Sequence, residues 1–218
     1  MTVEQLEKEG WQELLGCDTV DKFMVRKRTL YPGASQKNII EFYNLTTHEI
    51  KQADLPITGP KVHPTAIIGE SVEIGEGTYI GPFCIIGYPA EHKGYWDEPV
   101  GKVIIGKNCV ITGHVTIDAG TNHPTIIGNN VWMLKHSHVG HDAIVEDDCT
   151  ISCGAKVGGH AVIHKKSNLG LNSCIHQWVI VPEGCMIGMN AAVTKKLEME
   201  PYRKYAGVPA KDIGSNIR

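Results

Sequence analysis

Four of the eleven histidines in this 218-residue chain, His138, His141, His160 and His176, stand at positions where their chemistry depends on how the chain folds. Asp142 directly follows His141. An imidazole titrates near about pH 6.5, so several rings brought together supply a general base, hydrogen-bond partners or metal ligands. A carboxylate beside one ring would hold its tautomer and stabilise the imidazolium formed when it takes a proton. These residues are too far apart along the chain for one helix or strand to unite them. A repeating architecture would.

Such a repeat is present, with a period of six. Aliphatic residues recur at Val62, Ile68, Ile74, Ile80 and Ile86, then at Ile105, Ile111 and Ile117, and then without a slip from Ile127 and Met133 through Val139, Val157 and Ile175 to Val193. Two positions earlier the residue is small or β-branched, as at Ala66, Thr78, Cys84, Ser137, Ala143, Ala161 and Ala191. Alternation over two residues places both on one face of a short strand. Glycine often follows the aliphatic residue, as at Gly69, Gly81, Gly140 and Gly158, and is expected to permit a tight turn. Short strands of this kind bury no apolar face singly, so they must stack. With eighteen residues per coil, the hexads of Val139, Val157 and Ile175 would lie above one another. That register gathers His138, His141, His160 and His176 near one edge, within about 10 Å along the axis.

The fold expected is therefore an all-β solenoid in three parts: an N-terminal extension (1–58), the hexapeptide-repeat β-helix (59–195) and a C-terminal cap or tail (196–218). Two register breaks, at 88–102 and 118–125, read as loops leaving the coil, either functional or simply tolerated. In the extension, Val3–Leu15 has the spacing of a short amphipathic helix, and Phe23–Tyr31 and Ile39–Leu45 read as strands.

Composition narrows the class. The chain is 42% hydrophobic and 21% charged, enough for a real core. The absence of a long apolar run and the acidic, polar start lead us to expect no membrane span, no signal peptide and a cytoplasmic protein. No nucleic-acid partner is expected. Seven cysteines lack zinc-ligand spacing, and Cys84, Cys109, Cys149 and Cys185 fall at the small inward position, where packing explains them. Net charge is −3, yet residues 151–218 carry +5 and the remainder −8. A basic end suits a phosphate-bearing cofactor or an acidic carrier protein, and equally an ordinary solvated surface.

The hexad pattern resembles the hexapeptide-repeat acyltransferases, and this resemblance implies a left-handed parallel β-helix and a homotrimer with sites between subunits. The segments M-L-K-H-S-H-V-G-H-D (Met133 to Asp142), G-G-H (Gly158 to His160), I-H-Q-W (Ile175 to Trp178) and G-P-F-C-I-I-G (Gly81 to Gly87) are similar to the UDP-N-acetylglucosamine O-acyltransferase family of lipid A synthesis. That similarity implies His141 as general base, Asp142 as its orienting partner and the Gly159 N–H as oxyanion donor. His138, His160, His176, Gln177, Lys93, Met189 and Asn216 would contact substrates, with Met189 shortening the acyl channel. It further implies a thioester of acyl carrier protein or coenzyme A as co-substrate, a sugar or nucleotide-sugar acceptor, and no covalently bound cofactor or metal. Asp118 stands where that family has a histidine. The tail K-Y-A-G-V-P-A-K is more similar to hexapeptide acetyltransferases acting on amino sugars or small amines, so coenzyme A-dependent N-acetylation is an alternative. Two other readings stay open: a zinc enzyme of the γ-carbonic anhydrase type, using the His136 and His141 spacing, and a non-catalytic trimeric scaffold.

Overall fold

The computed structural model describes residues 60–95 and 101–216 in full, and four strands at the N-terminal side by their backbone. The chain divides into two compact units, Met1–Ile57 and Thr58–Arg218. In the first, Gln12–Glu13, Phe23–Leu30, Lys37–Asn44 and Ile50–Asp54 form an antiparallel sheet in sequence order. The two expected strands are present and Ile50–Asp54 is additional. The amphipathic helix expected over Val3–Leu15 is corrected at Gln12–Glu13, which pair with Met24 and Val25 as a strand. Cross-strand pairing with Phe23–Leu30 overrides the local apolar spacing there. The rest of that segment lies outside the described residues.

The second unit is a left-handed parallel β-helix. Each hexad supplies one short strand, and each strand pairs in parallel with the strand one coil away. Three faces result. One has seven strands, from Ile67–Ile68 to Ala192–Val193, and is called here the histidine face. A second has six, from Val72–Ile74 to Ile180–Val181. The third begins at Lys61–Val62 and continues past Met186–Ile187 into the hairpin Arg203–Ala206 and Lys211–Ser215, nine strands in all. That hairpin covers the end of the third face, where Tyr205 is buried and its hydroxyl accepts from the Glu200 N–H at 2.7 Å.

Inside, the large and small members of each hexad form one continuous core. Ile80, Ile111, Val139, Ile151, Ile163 and Ile187 are fully buried, as are the small partners Cys84, Ala143 and Ala155. The six described cysteines are free, and burial pushes the Cys149 thiol up to about 12. Cys84, Cys109, Cys149 and Cys185 are buried packing residues.

The glycines after the aliphatic positions act differently from the expectation. Most keep ordinary backbone angles, and the left-handed conformation falls two residues later, at Asn108, His114, Asn130, His136, Asp142, His160, Asn172 and Asn190. Asn, Asp and His tolerate that conformation better than other side chains, which gives several corner histidines a conformational reason to be there. The glycines instead permit close coil approach: a Cβ on Gly81 would collide with the Thr112 carbonyl oxygen.

Among the described residues no helix is long and apolar enough to cross a membrane. The second face carries an aliphatic ladder on its outer surface, Ile104, Ile126, Ile144, Val162 and Ile180, in register from coil to coil. Ile180 is 58% exposed in the single chain. Truncating a core member tests the packing: Ile163→Ala should destabilise the protein by about 2–5 kcal/mol, read from the shift in urea denaturation by circular dichroism.

Candidate active site

The eighteen-residue coil places Val139, Val157 and Ile175 in direct register on the histidine face. The residues that follow them therefore align in columns: Gly140 with Gly158 and His176, His141 with Gly159 and Gln177, and Asp142 with His160 and Trp178. Because Gly159 lacks a side chain, the His141 ring leans across it. A Cβ there would stand 2.8 Å from His141 Nε2 and 3.1 Å from two ring carbons.

His141 Nδ1 and Asp142 Oδ2 are 2.6 Å apart. An ionised carboxylate only accepts, so Nδ1 carries the proton and Nε2 is left with its lone pair. Asp142 is itself held by the loop at the second register break. Its carboxylate accepts from the Asn122 N–H at 2.8 Å, the His123 N–H at 2.6 Å, the Thr121 hydroxyl at 2.7 Å and the Thr121 N–H at 3.1 Å. Burial opposes ionisation here, but the bonds from His141, His123, Thr121 and Asn122 outweigh it and hold the carboxyl well below the usual carboxylate range. The anion is fixed at any working pH.

Further rings surround this pair. His160 lies edge-on to His141 with centroids 4.9 Å apart, and Trp178 stacks flat on His160 at 3.8 Å. Burial lowers the His160 pKa, so its neutral form is favoured. His92, from the first loop, reaches 6.0 Å from the His141 ring. On the strand leading into His141, the His138 Nδ1 shares a 2.8 Å hydrogen bond with Thr116 of the preceding coil, and its Nε2 is 3.8 Å from Asp118 Oδ2. Burial, followed by the Lys156 charge, lowers the His138 pKa. Asp118 and His138 line a cleft of about 530 Å³ together with Tyr88, Glu91, Thr116 and Lys156.

The sequence-derived candidates thus separate into groups. His141, Asp142, Gly159 and His160 meet, with His138 beside them. His176 and Gln177 follow on the next coil, both exposed, the His176 ring 3.0 Å from the Gln177 carbonyl oxygen. Lys93 is exposed in the loop next to His92. Met189, 67% exposed, stands at another corner, above Leu171. Asn216 donates to the Gly184 carbonyl at 2.8 Å, on the side of the capping hairpin. His136 stacks on His114 at 5.0 Å, and both line the cleft that holds His138 and Asp118. As for metals, His141, Asp142 and His160 each offer a ligand atom within 4.8 Å of the others, the one such group among the described residues. Two of those atoms already share the 2.6 Å bond. Thr121, Asn122, His123 and His92 were not anticipated individually. Their signal was the pair of register breaks.

The bacterial transferase hexapeptide profile (six repeats) matches residues 124–159, which contain His138, His141 and Asp142. This chain carries a bacterial transferase hexapeptide domain. The chain is similar to acyl-[acyl-carrier-protein]–UDP-N-acetylglucosamine O-acyltransferases. That of Sinorhizobium fredii is 32% identical over 69% of this chain and 56% of its own length. That of Paraburkholderia phymatum is 28% identical over 72% of this chain and 74% of its own. Among solved structures, the UDP-N-acetylglucosamine acyltransferase of Bacteroides fragilis superposes with a TM-score of 0.69 at 28% identity, covering 72% of this chain and 62% of that one. The hexapeptide domain and its flanks therefore span little more than half of the Sinorhizobium relative.

Asp118 contrasts with Asp142. Burial raises its pKa from 3.8 to about 6. The unfolded carboxyl loses its proton near 3.8 while the folded one holds it to about 6, so folding is progressively penalised as pH rises between these values. Asp118→Asn should thus stabilise the protein above pH 6, by at most about 3 kcal/mol, with the gain vanishing near pH 4. Thermal melts of both proteins across that range measure the difference.

Proposed function

We propose that this protein is an acyltransferase, moving an acyl group from a thioester of acyl carrier protein or coenzyme A to a hydroxyl or amine of a sugar or nucleotide sugar. The observation that carries the reading is the His141 ring, pinned through Nδ1 by a permanently charged Asp142 and presenting Nε2 beside Gly159. In this mechanism Nε2 takes the acceptor's proton as the acceptor attacks the thioester carbonyl. The C–S bond then breaks, and the imidazolium returns the proton to the leaving sulfur. The Gly159 N–H, which has no acceptor among the described residues, would meet the oxyanion. His138, His160, His176, Gln177 and Lys93 border the path of the substrates. Met189 and Asn216 lie further off, in the roles that the family resemblance gives them.

A homotrimer follows from the same reading. The aliphatic ladder on the second face adjoins the corner formed by Asp142, His160 and Trp178, so a neighbouring subunit seated there would enclose the site. Free cysteines suit the cytoplasm. A resident zinc ion would displace this reading; stoichiometric metal in the purified protein, lost in His160→Ala, is the result that would do so.

Turnover is tested by mass spectrometry with acyl carrier protein and coenzyme A thioesters against a panel of sugars and nucleotide sugars. His141→Ala should lower kcat by about 10²–10⁴-fold with the fold retained. Gly159→Ala, whose methyl group must push the ring aside, should lower kcat by about 10–100-fold with the thermal melt little changed. Activity near the parent level in His141→Ala would reject the mechanism.

A further inference from the structure

The two oxygens of Asp142 are held by different means. Oδ1 accepts from the backbone N–H groups of Asn122, at 2.8 Å, and His123, at 2.6 Å, bonds that belong to the loop rather than to any side chain. Oδ2 is the oxygen that binds the His141 ring. There the Thr121 hydroxyl, at 2.7 Å, is the one other side-chain donor within hydrogen-bond reach among the described residues. His160 Nε2 stands further off, at 3.8 Å. The Thr121 N–H is shared between the oxygens, 3.1 Å from each.

The direction of the hydroxyl proton is fixed. Asn122 Nδ2 donates to Thr121 Oγ1 at 3.2 Å, and an ionised carboxylate offers no proton, so the hydroxyl gives its single proton to Asp142. A chain of donors therefore runs from the Asn122 amide through Thr121 to Asp142 Oδ2, where it meets the His141 Nδ1–H. The loop that carries it is anchored at both ends: the Gly120 and Thr125 N–H groups donate to the Lys102 carbonyl, at 3.4 and 3.0 Å. A Cβ on Gly120 would collide with the His123 carbonyl oxygen, which shows how tightly the loop closes. What it closes on is a carboxylate whose side chain is wholly buried.

We propose that Thr121 is a positioning residue for the base, its hydroxyl setting both the direction of Asp142 Oδ2 and the charge that this oxygen presents to the His141 ring. The inference rests on acyl transfer by His141 and concerns how that ring is held and tuned. A donor on Oδ2 draws charge from the oxygen, so the carboxylate stabilises an imidazolium less than it would without that donor. Loss of the hydroxyl has two effects. The carboxylate gives up one restraint, which loosens the aim of Nε2, and Oδ2 holds a protonated ring more tightly, which raises the pH at which the ring becomes a free base. Other groups act on the same ring: His160 from the next coil, His92 from the first loop, and Asp118 and His138 through their charges. His123, in the loop itself, acts on His160. All of these are unaltered in the variants compared, so a difference between variants belongs to Thr121.

The experiment titrates the His141 ring by carbon nuclear magnetic resonance in the full chain, labelled at histidine and free of substrates, its signal identified by its loss in His141→Ala. Thr121→Val should raise the midpoint by about half a pH unit, whereas Thr121→Ser, which keeps the hydroxyl, should stay within about 0.2 of the unaltered protein. With a thioester donor and an acceptor, the acid limb of kcat/KM should move to higher pH by the same amount in Thr121→Val. There kcat should fall about tenfold while KM changes less than about twofold, because the hydroxyl acts through Asp142 and touches no substrate. A role in packing alone would lower the thermal melt and leave the midpoint where it was. An unmoved midpoint in Thr121→Val, or a Thr121→Ser protein that matches Thr121→Val, overturns the proposal. A raised midpoint in a protein that turns over no acyl donor upholds the tuning by Thr121 and counts against acyl transfer; turnover with an unmoved midpoint does the reverse. Should Thr121→Val fail to fold, Thr121→Ala, which adds no bulk beside Asp142, is read by the same two measurements.

Discussion

Parallel hydrogen bonding between successive coils is the constraint on which the rest of this protein depends. Each strand is only two to four residues long and would be worthless alone, but the ladder binds every outward position to the one a coil away. His138 is paired with Thr116 below and Lys156 above because the backbone leaves no other register. A slip of one residue would send the aliphatic row outward and the polar row into the core. The cost of such a slip is what makes the placement of the functional side chains precise.

On this ladder the site is assembled from two kinds of part. The rigid coil supplies His141, Gly159 and His160, and a loop thrown from an earlier coil supplies the donors that fix Asp142. The distinction matters electrostatically. Asp142 and Asp118 are both buried carboxylates on neighbouring coils, yet one is driven well below its ordinary pKa and the other raised to about 6. Burial is similar; the number of donors is not. A fully bonded anion serves as a fixed support for the base, whereas a carboxyl with few donors keeps its proton to higher pH.

The repeat accounts for the first kind of part more than the second. The histidine columns follow from the hexad register, which the hexapeptide profile itself reads in residues 124–159. Asp118 lies in the strand Thr116–Asp118, just before the loop, where it meets Glu91 from the other loop. Differences among proteins sharing this scaffold would be expected to concentrate at such places, because loops change shape without breaking the ladder.

The sequence alone determined the period, and with it the twenty strands, the inward rows, the buried thiols and the alignment of His141 with Gly159. It did so because a helical repeat converts spacing along the chain directly into position in space. Even the corner residues were written there, although the glycines pointed to the wrong position for the left-handed turn: close coil approach and backbone torsion are different uses of a missing Cβ, and a pattern of glycines does not distinguish them. Only the tertiary structure decided that Thr121, Asn122 and His123 turn back onto Asp142, that His92 approaches the base, and that Asp118 is buried without enough donors. Loops have no period to extrapolate, and their hydrogen bonds depend on how each closes against the coil.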